Sequence, residues 1–209
     1  MDFTTLLKQR RSTRHFDPDA AISNEELHDL LAAAGLSPSG NNAQPWRCVV
    51  ITDSAWREKL LPVAFNQQQV LTASTVILLL ADREAYQAEN LTRIHQEEYE
   101  DGCFNETVRD FLTQAAIGFY QPFQETDTLK ALALDCGLFA MSLMLAAENA
   151  GWQTVPMTGY QPALLREAFA IPDRYADIML IAVGKGKQHG HRTLRRPVQE
   201  LVYWNTIPD

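Results

Sequence analysis

The segment Thr75–Ala81 constrains the fold more than any other, because it has the pattern of a strand that is apolar on both faces. Six of its seven side chains are hydrophobic, and such a strand belongs in the centre of a sheet whose two faces are covered. Three further apolar runs also predict strands: Arg47–Asp53, Thr154–Tyr160 and Asp177–Gly184. Helical patterns separate these runs, so the chain is expected to be one domain of mixed α and β structure.

The clearest helix signal is a capping box, formed by Ser23 with Glu26 three residues later. Apolar residues follow at helical spacing from Leu27 to Ala34, and Gly35 marks the end of the helix. Three more helices are predicted: one capped by Ser54, an exposed and charged one within Arg83–Glu100, and one over Thr107–Gln121 whose apolar side holds Phe111, Ala115 and Phe119.

The longest predicted helix, Leu129–Ala150, is apolar almost all the way round and would span about 33 Å. Lys130, Asp135 and Glu148 would be costly in lipid, which favours a core or interface helix over a membrane span. Asp135 is expected to be a buried carboxylate that caps a neighbouring loop, because buried polar groups are hydrogen-bonded.

Composition narrows the class of protein further. The formal net charge of −8 over 209 residues makes nucleic acid and anionic membranes poor partners. The three cysteines are odd in number and form no C-x-x-C pair, which suits a reducing compartment. The polar N-terminal residues 1–11 have no apolar run behind them, so no signal peptide is expected and the predicted location is cytoplasmic.

The loop Ser37–Trp46 holds two prolines, one glycine and five small polar side chains before its final tryptophan. Proline fixes φ, Gly40 allows positive φ, and Pro45 pushes the residue before it into an extended state. A rigid loop with several amides could recognise the polar edge of a flat heteroaromatic ring. The alternative is a polar surface connection, and spacing alone does not decide between the two.

An arginine cluster lies near each end of the chain. The segment Arg10–Arg14 carries three guanidiniums and two hydroxyls, which suit bidentate contacts with phosphate oxygens, although a solvated basic turn is the simpler interpretation. Near the other end, Arg192, Arg195 and Arg196 precede an apolar stretch, Leu201–Trp204. Because such a stretch does not suit a solvated tail, the tail (about 185–209) is expected to dock on another surface.

Metal and nucleophile chemistry find little support. His189 and His191 could both contact a metal ion, but no carboxylate or thiol lies close to them in sequence, so no metal site is predicted. The glycines at 184, 186 and 190 do not have the spacing of a dinucleotide-binding loop. Two arginine clusters and an amide-rich loop fit a planar cofactor that carries a phosphate better.

Taken together, the motifs resemble the FMN-dependent nitroreductase family, and they follow the family's order over almost the whole chain. They are Arg10-Arg11-Ser12-Thr13-Arg14-x-Phe16, Ser37-Pro38-Ser39, Asn42-x-Gln44-Pro45-Trp46, Asp135-x-Gly137, Val155-Pro156-x-x-Gly159 and Arg195-Arg196-Pro197. The resemblance implies an α+β fold, a three-layer α/β/α sandwich with a central, mostly antiparallel sheet. It also implies an intertwined homodimer with two FMN sites at its interface.

The resemblance implies a role for each matching residue. Arg10, Arg11, Ser12, Arg14 and Arg195 would bind the FMN phosphate, with Arg192 or Arg196 standing in for a second basic residue, because Thr193 occupies its usual position. Pro38, Ser39, Gly40 and Asn42 would belong to a loop that the second subunit lays over the flavin. Asn66 and Gln69 would face the ring, and the backbone of Thr158 and Gly159 would lie beside flavin N5.

The implied activity is ping-pong hydride transfer from NADH or NADPH, through the flavin, to nitroaromatics, quinones or similar acceptors, with no catalytic side chain required. Gln69 departs from the several members that carry a lysine there. A neutral amide stabilises the negative charge of reduced flavin less than a cation does, which predicts a lower flavin potential. Other flavin chemistry on the same scaffold (dehalogenation, or oxidation of an enoyl or ring substrate) and a non-catalytic flavin-binding role remain alternatives.

Overall fold

Four strands form the centre of the fold in the computed structural model, which describes residues 2–207. They are β1 (Trp46–Ile51), β2 (Thr75–Asp82), β3 (Gln153–Met157) and β4 (Tyr175–Gly184), and they lie in the order β1-β2-β4-β3 with every neighbouring pair antiparallel. Every residue of β2 is buried. The internal position that its sequence predicts is therefore confirmed.

Helices surround this sheet. Within the described residues they are α1 (Phe3–Gln9), α2 (Asn24–Gly35), α3 (Ser54–Val63), α4 (Gln69–Thr72), α5 (Ala88–Glu100), α6 (Glu106–Tyr120), α7 (Glu125–Asn149) and α8 (Pro162–Ala168). Alternate side chains of β2 enter two separate apolar cores. Ile77 and Leu79 pack with residues of α2, α5 and α7, whereas Val76 and Leu78 pack with residues of α3, α4 and α8. The expected α/β/α sandwich is thus confirmed.

The helix starts follow the capping chemistry of the sequence, with one correction. At α2 the Ser23 hydroxyl accepts from Glu26 N, and the Glu26 carboxylate accepts from Ser23 N at 2.9 Å, so the predicted capping box is present. Ser54, however, is the first residue of α3 rather than its cap. Asp53 caps this helix by accepting from the backbone N–H groups of Ala55 and Trp56.

The structure corrects the expectation that α5 is exposed and shows which side of α6 is buried. Leu91, Ile94 and His95 of α5 are buried, although the whole segment was expected to be exposed. On α6 the apolar side of the sequence pattern faces solvent, with Phe111 70% exposed. The side of α6 that carries Thr113 is buried instead. The Thr113 hydroxyl is satisfied there, because it contacts His95 Nδ1 at 3.1 Å and donates to the Arg109 carbonyl oxygen.

The helix α7 is long and apolar enough to cross a membrane by length and composition alone. In the fold it packs against α2 and against all four strands, and Leu132, Phe139 and Leu143 lie in one of the two cores. Its outer side keeps Leu134 and Leu138 exposed. The helix is therefore part of the core on one side and presents an apolar stripe on the other.

Candidate functional site

The segment Arg10–Arg14 forms an arm beside β3. Ser12 makes a parallel bridge with Thr154, and Thr13 N donates to the Thr154 carbonyl oxygen at 3.0 Å. On the other side the arm meets the chain that follows β4, where Lys187 N donates to the carbonyl oxygen of His15 at 2.8 Å. A Cβ at Gly190 would lie 2.7 Å from Arg11 Cβ, so glycine permits this close crossing. The structure thus packs the N-terminal arm against the chain that follows β4, up to residue 190.

The guanidiniums of this arm have no carboxylate partner among residues 2–207. Arg11 Nη1 donates to the Arg10 carbonyl oxygen at 2.8 Å, and Arg14 Nη1 lies 3.5 Å from the Ser12 carbonyl oxygen. Such contacts leave most of the N–H donors open. Three unpaired cations in a chain of net charge −8 match the donor set that a phosphate dianion needs.

Two buried oxygen atoms close to the arm also lack partners. Glu148 Oε2, near the end of α7, and Thr154 Oγ1, on β3, are inaccessible and make no hydrogen bond. Burial raises the pKa of Glu148 by more than the nearby charges of Arg10 and Arg11 lower it, so the pKa lies above its ordinary value. Polar groups that the chain itself does not satisfy indicate a place where a polar ligand or water completes the contacts.

A second group of polar residues lies where β3 ends. Gln67 Nε2 donates to the Gly159 carbonyl oxygen at 2.8 Å and to the Ala64 carbonyl oxygen at 3.0 Å. Its Oε1 accepts from Gln69 Nε2 at 3.0 Å. The structure therefore brings together Gln69 and Gly159, two predicted site residues. The residue that joins them, Gln67, was missed by the sequence analysis.

The neighbours of this group are exposed and open toward solvent. Asn66 and Phe65 both adopt left-handed backbone conformations, with φ of 56° and 54°, at the end of α3. Thr158 and Gly159 are exposed, and the Gly159 N–H has no protein acceptor among the described residues. These groups are free to bind a ligand that lies over the end of β3.

The loop after α2 is anchored to α7, as the acidic residue in that helix predicts. Asp135 Oδ2 accepts from Gly40 N at 3.0 Å and from the Tyr86 hydroxyl at 2.6 Å, so the expectation that it caps a neighbouring loop is confirmed. Burial and the bond to Asp135 raise the pKa of Tyr86 far above its ordinary value. The hydroxyl therefore stays protonated and remains a donor to the carboxylate.

Further contacts make the loop rigid. Asn42 Nδ2 donates to Glu98 Oε1 at 2.8 Å, and Gln44 N donates to Ser39 Oγ at 2.9 Å. Asn41, Asn42 and Gln44 all have positive φ, whereas Gly40 does not. The expectations that Gly40 adopts positive φ and that Pro45 keeps Gln44 extended are therefore wrong, because the two asparagines and the glutamine form the left-handed part of the loop. Pro38 is exposed at the surface of the loop. The predicted rigid, amide-rich loop is present, and its outer side faces solvent.

The loop and the arginine arm lie far apart within one chain. Asp135 holds the loop, and Glu148 lies close to the arm, 13 residues further along α7. At about 1.5 Å per residue this corresponds to about 20 Å along the helix. One chain alone therefore does not place its own loop over its own arginine arm.

In the described part of the chain, no hydrogen bond or ion pair joins the C-terminal arginines to the arm. Arg195 Nη1 bonds to Thr193 Oγ1, Arg196 pairs with Glu200 at 3.3 Å, and Arg192 is exposed. The tail that carries them also exposes Leu194, Leu201 and Trp204, the last at 85%. Residues 208 and 209 of the predicted docking tail lie outside the described residues.

Aromatic residues around a cavity of about 500 Å³ are the second feature that the sequence analysis missed. Tyr86 and Tyr120 line it and stack with their ring centroids 4.4 Å apart, and Arg83 lies at its edge. The Tyr120 hydroxyl also accepts from Asn41 Nδ2. The cavity therefore adjoins the anchored loop, although Tyr86 and Tyr120 lie far from it in sequence.

Known proteins match this chain in sequence and in fold. A family model described as "Nitroreductase family" matches residues 7–185. A Bacillus subtilis (strain 168) protein named "Putative NAD(P)H nitroreductase YdgI" is 36% identical over 205 residues, which cover 97% of each chain. The enone reductase of CLA biosynthesis from Lactiplantibacillus plantarum is 28% identical over 201 residues, covering 93% of this chain and 90% of the relative.

A solved structure from Exiguobacterium sibiricum, titled "putative nitroreductase in complex with FMN", superposes with a TM-score of 0.92 at 36% identity. The match covers 98% of each chain. The family model, the relative of 36% identity and the superposed structure support the same assignment, which the motifs of the arm and the loop predict. The chain belongs to the nitroreductase family.

Proposed function

We propose that the protein is an FMN-dependent oxidoreductase that transfers hydride from NADH or NADPH to nitroaromatic, quinone or similar acceptors in a ping-pong cycle. The relative YdgI is named for NAD(P)H and nitroreduction, and the Exiguobacterium structure contains FMN. Bound FMN would supply the redox chemistry, accepting and donating hydride at N5. The chain would hold the cofactor, orient both substrates and exclude water.

The observation that carries this proposal is that β3 connects the arginine arm to the group of amides around Gly159. Ser12 pairs with Thr154 on β3, and this strand ends at Met157, roughly 10 Å further along, just before the turn at Gly159. The arm would bind the phosphate through Arg10, Arg11, Ser12 and Arg14. Asn66, Gln69 and the Thr158–Gly159 turn would meet the ring at the far end. A ring with a five-carbon phosphate chain fits this separation of a cationic end from an amide end.

The second subunit would complete the site. As the family resemblance implies, the loop residues Pro38, Ser39, Gly40 and Asn42 would cover the flavin of the partner rather than bind the phosphate, from which about 20 Å of α7 separates them within one chain. The exposed Leu134 and Leu138 on α7, together with the apolar tail, supply surface for a homodimer. We propose a single domain over residues 1–209 whose tail, about residues 185–209, docks on the partner. Arg195 makes only local contacts within one chain and would reach a phosphate site through this docking.

The cytoplasm is the proposed location, because the cysteines are unpaired in the fold. Cys48, Cys103 and Cys136 are all free thiols, and Cys136 is buried. Burial raises the pKa of Cys136 to about 12 and that of Cys48 to about 11, so both remain protonated and unreactive. Such a set suits a reducing compartment.

A visible spectrum of the purified protein tests the proposed function. We expect a flavin spectrum that is bleached by anaerobic addition of NADH or NADPH and restored by a nitroaromatic or a quinone. A protein that stays colourless after incubation with FMN would contradict the assignment. A yellow protein that neither nicotinamide bleaches would instead support the non-catalytic, flavin-binding alternative.

An enone acceptor is the second candidate. The 28% identity to an enone reductase over almost the full chain favours it over dehalogenation or ring oxidation. Anaerobic turnover of the reduced enzyme with a panel of acceptors separates these possibilities. Reoxidation by an α,β-unsaturated ketone but not by nitroaromatics would identify the enone as the preferred class.

A further inference from the structure

Gln67 makes more contacts between separate parts of the candidate site than any of the predicted site residues around it. It lies between α3 and α4, and its side chain reaches Gly159, which is 92 residues further along the chain. The same amide accepts from Gln69, the first residue of α4. One side chain therefore joins the segment before β2 to the turn after β3.

The partners of Gln67 fix which way its amide points. Both Nε2 contacts are to backbone carbonyl oxygens, which can only accept, so both N–H groups of the amide are used. Its Oε1 is then the acceptor, and Gln69 has to donate through Nε2 at 3.0 Å. The amide orientation of Gln69 follows from that of Gln67, leaving Gln69 one N–H and its carbonyl oxygen for another partner.

The same contact holds the turn at Gly159. Tyr160 N donates to the Thr158 carbonyl oxygen at 3.1 Å, and Gln161 N donates to the Val63 carbonyl oxygen at 2.9 Å. With Gln67 on the Gly159 carbonyl oxygen, the turn is held at three successive residues. A Cβ at Gly159 would lie 3.4 Å from Gln67 Nε2, so this side chain packs directly against the turn. The Gly159 N–H is left exposed and without a protein acceptor in the described part of the chain.

We infer that Gln67 is a positioning residue for the flavin site, setting the amide of Gln69 and the backbone N–H of Gly159 together. The inference rests on the proposed function, which puts Gln69 near N1 of the ring and Gly159 beside N5. The Gln67 side chain then links Gln69, which would stabilise the charge of the reduced ring, to Gly159, which would lie beside the atom that accepts hydride. Its contacts are to Ala64, Gly159 and Gln69, so Gln67 acts on the site through the last two of these neighbours.

Two replacements of Gln67 and one control distinguish an effect on the flavin site from a loss of folding. In Gln67→Met the side chain keeps its length but neither donates to Gly159 nor accepts from Gln69. In Gln67→Glu it still accepts from Gln69, but its carboxylate repels the two carbonyl oxygens. Gln68→Met is the matched control, because Gln68 is exposed and its amide bonds only to the neighbouring Asn66 carbonyl oxygen at 3.2 Å.

Stopped-flow reduction of the FMN-loaded variants by NADH or NADPH is the test, together with the flavin midpoint potential. We expect Gln67→Met to bind FMN, to be reduced about tenfold more slowly, and to have a shifted midpoint. Gln67→Glu should be slowed at least as much, and Gln68→Met should match the wild type. In a Gln69→Met background, the midpoint shift from Gln67→Met should be clearly smaller, because the route through the amide of Gln69 near N1 is already lost.

Three results would overturn the inference. The first is a folded, flavin-loaded Gln67→Met with the reduction rate and the midpoint of the wild type. The second is an unchanged midpoint shift in the Gln69→Met background. The third applies if Gln67→Met fails to fold: a folded, flavin-loaded Gln67→Glu that is reduced at the wild-type rate would then overturn the inference. A wild-type chain that takes up no FMN would contradict the proposed function instead, and these two failures are distinct.

Discussion

At the scale of single residues, Asp82 is a buried charge that two arginines pair. It ends β2 with a side chain that is 2% exposed, and Arg174 binds both of its oxygens, at 2.8 and 2.7 Å. Arg47 adds a third contact at 3.2 Å. Burial alone would raise the pKa of Asp82, but the hydrogen bonds and charge of Arg174 outweigh it, so the pKa lies below its ordinary value.

We predict that Asp82→Asn costs about 2 kcal/mol of stability at neutral pH, below the usual cost of breaking a buried pair because both arginines stay partly solvated. The sign of the pH dependence follows from the lowered pKa. The Asp82 contribution is fully present above the unfolded value of about 4 and is lost as the pH falls through the lower folded value.

Urea unfolding of wild type and Asp82→Asn at several pH values between 7 and 3 measures this prediction. The difference in unfolding free energy between the two proteins should shrink as the pH falls below about 4. Asp19→Asn, at an exposed position, serves as the control and should change little. A difference that stays constant down to pH 3 would show that the ion pair is not responsible.

Some residues of the site could be predicted from sequence because their chemistry conflicts with their surroundings. Asp135 is acidic within an apolar helix, and buried acids need donors, so its role as a loop anchor could be predicted. Gln67 and Tyr86 could not be found in this way. A glutamine in a polar run and a tyrosine before a helix have no local conflict, and their partners lie 92 and 49 residues away.

At the scale of elements, the strands were predictable because burial on both faces requires continuous apolar runs, as in β2. The orientation of α6 was not. The sequence pattern favours a buried Phe111, yet the pairing of α6 with α5 buries Thr113 next to His95. Periodicity shows that a helix has an apolar side, whereas tertiary packing decides which side is covered.

The loop after α2 offers a test at this scale, because Gly40 lies against Tyr120. A Cβ at Gly40 would collide with the Tyr120 hydroxyl oxygen, while the nearest ring carbons of Tyr120 and Tyr86 stay at 3.7 Å. We therefore predict that Gly40→Ala destabilises the protein by about 1–3 kcal/mol through overpacking. Thermal unfolding of Gly40→Ala, Tyr120→Phe and the double variant measures the coupling.

In the Tyr120→Phe background the hydroxyl is gone, and the cost of Gly40→Ala should fall clearly below its cost in the wild type. Equal costs in both backgrounds would place the strain elsewhere in the loop. The Asn41 contact to the same hydroxyl is lost in both Tyr120→Phe proteins, so it cancels from the comparison.

At the scale of the whole molecule, the proposed homodimer accounts for the exposed apolar tail. Leu194, Trp204 and Ile207 are 94%, 85% and 78% exposed, which is unfavourable for an isolated chain in water. An obligate apolar interface buries upwards of about 2,000 Å². The tail and the outer side of α7 are the surfaces available for such an interface.

We predict that truncation after Pro197, which keeps Arg195, converts a dimer into a weaker dimer or a monomer. Trp204→Ala should also weaken association, whereas Phe111→Ala, at an exposed aromatic on α6, should not. Sedimentation equilibrium measures all four chains. A wild-type chain that is a folded, FMN-bound monomer would contradict the shared site.

The central claim is that the unpaired arginines of the N-terminal arm bind the FMN phosphate. The most direct test is the FMN dissociation constant of Arg10→Glu/Arg14→Glu, measured after removal and re-addition of the cofactor. Lys59→Glu/Arg93→Glu, at exposed positions outside the site, is a control with the same change in net charge. We predict that the arm variant loses at least about a hundredfold in affinity while the control binds like the wild type. Equal FMN affinity in the arm variant and the control would contradict the claim.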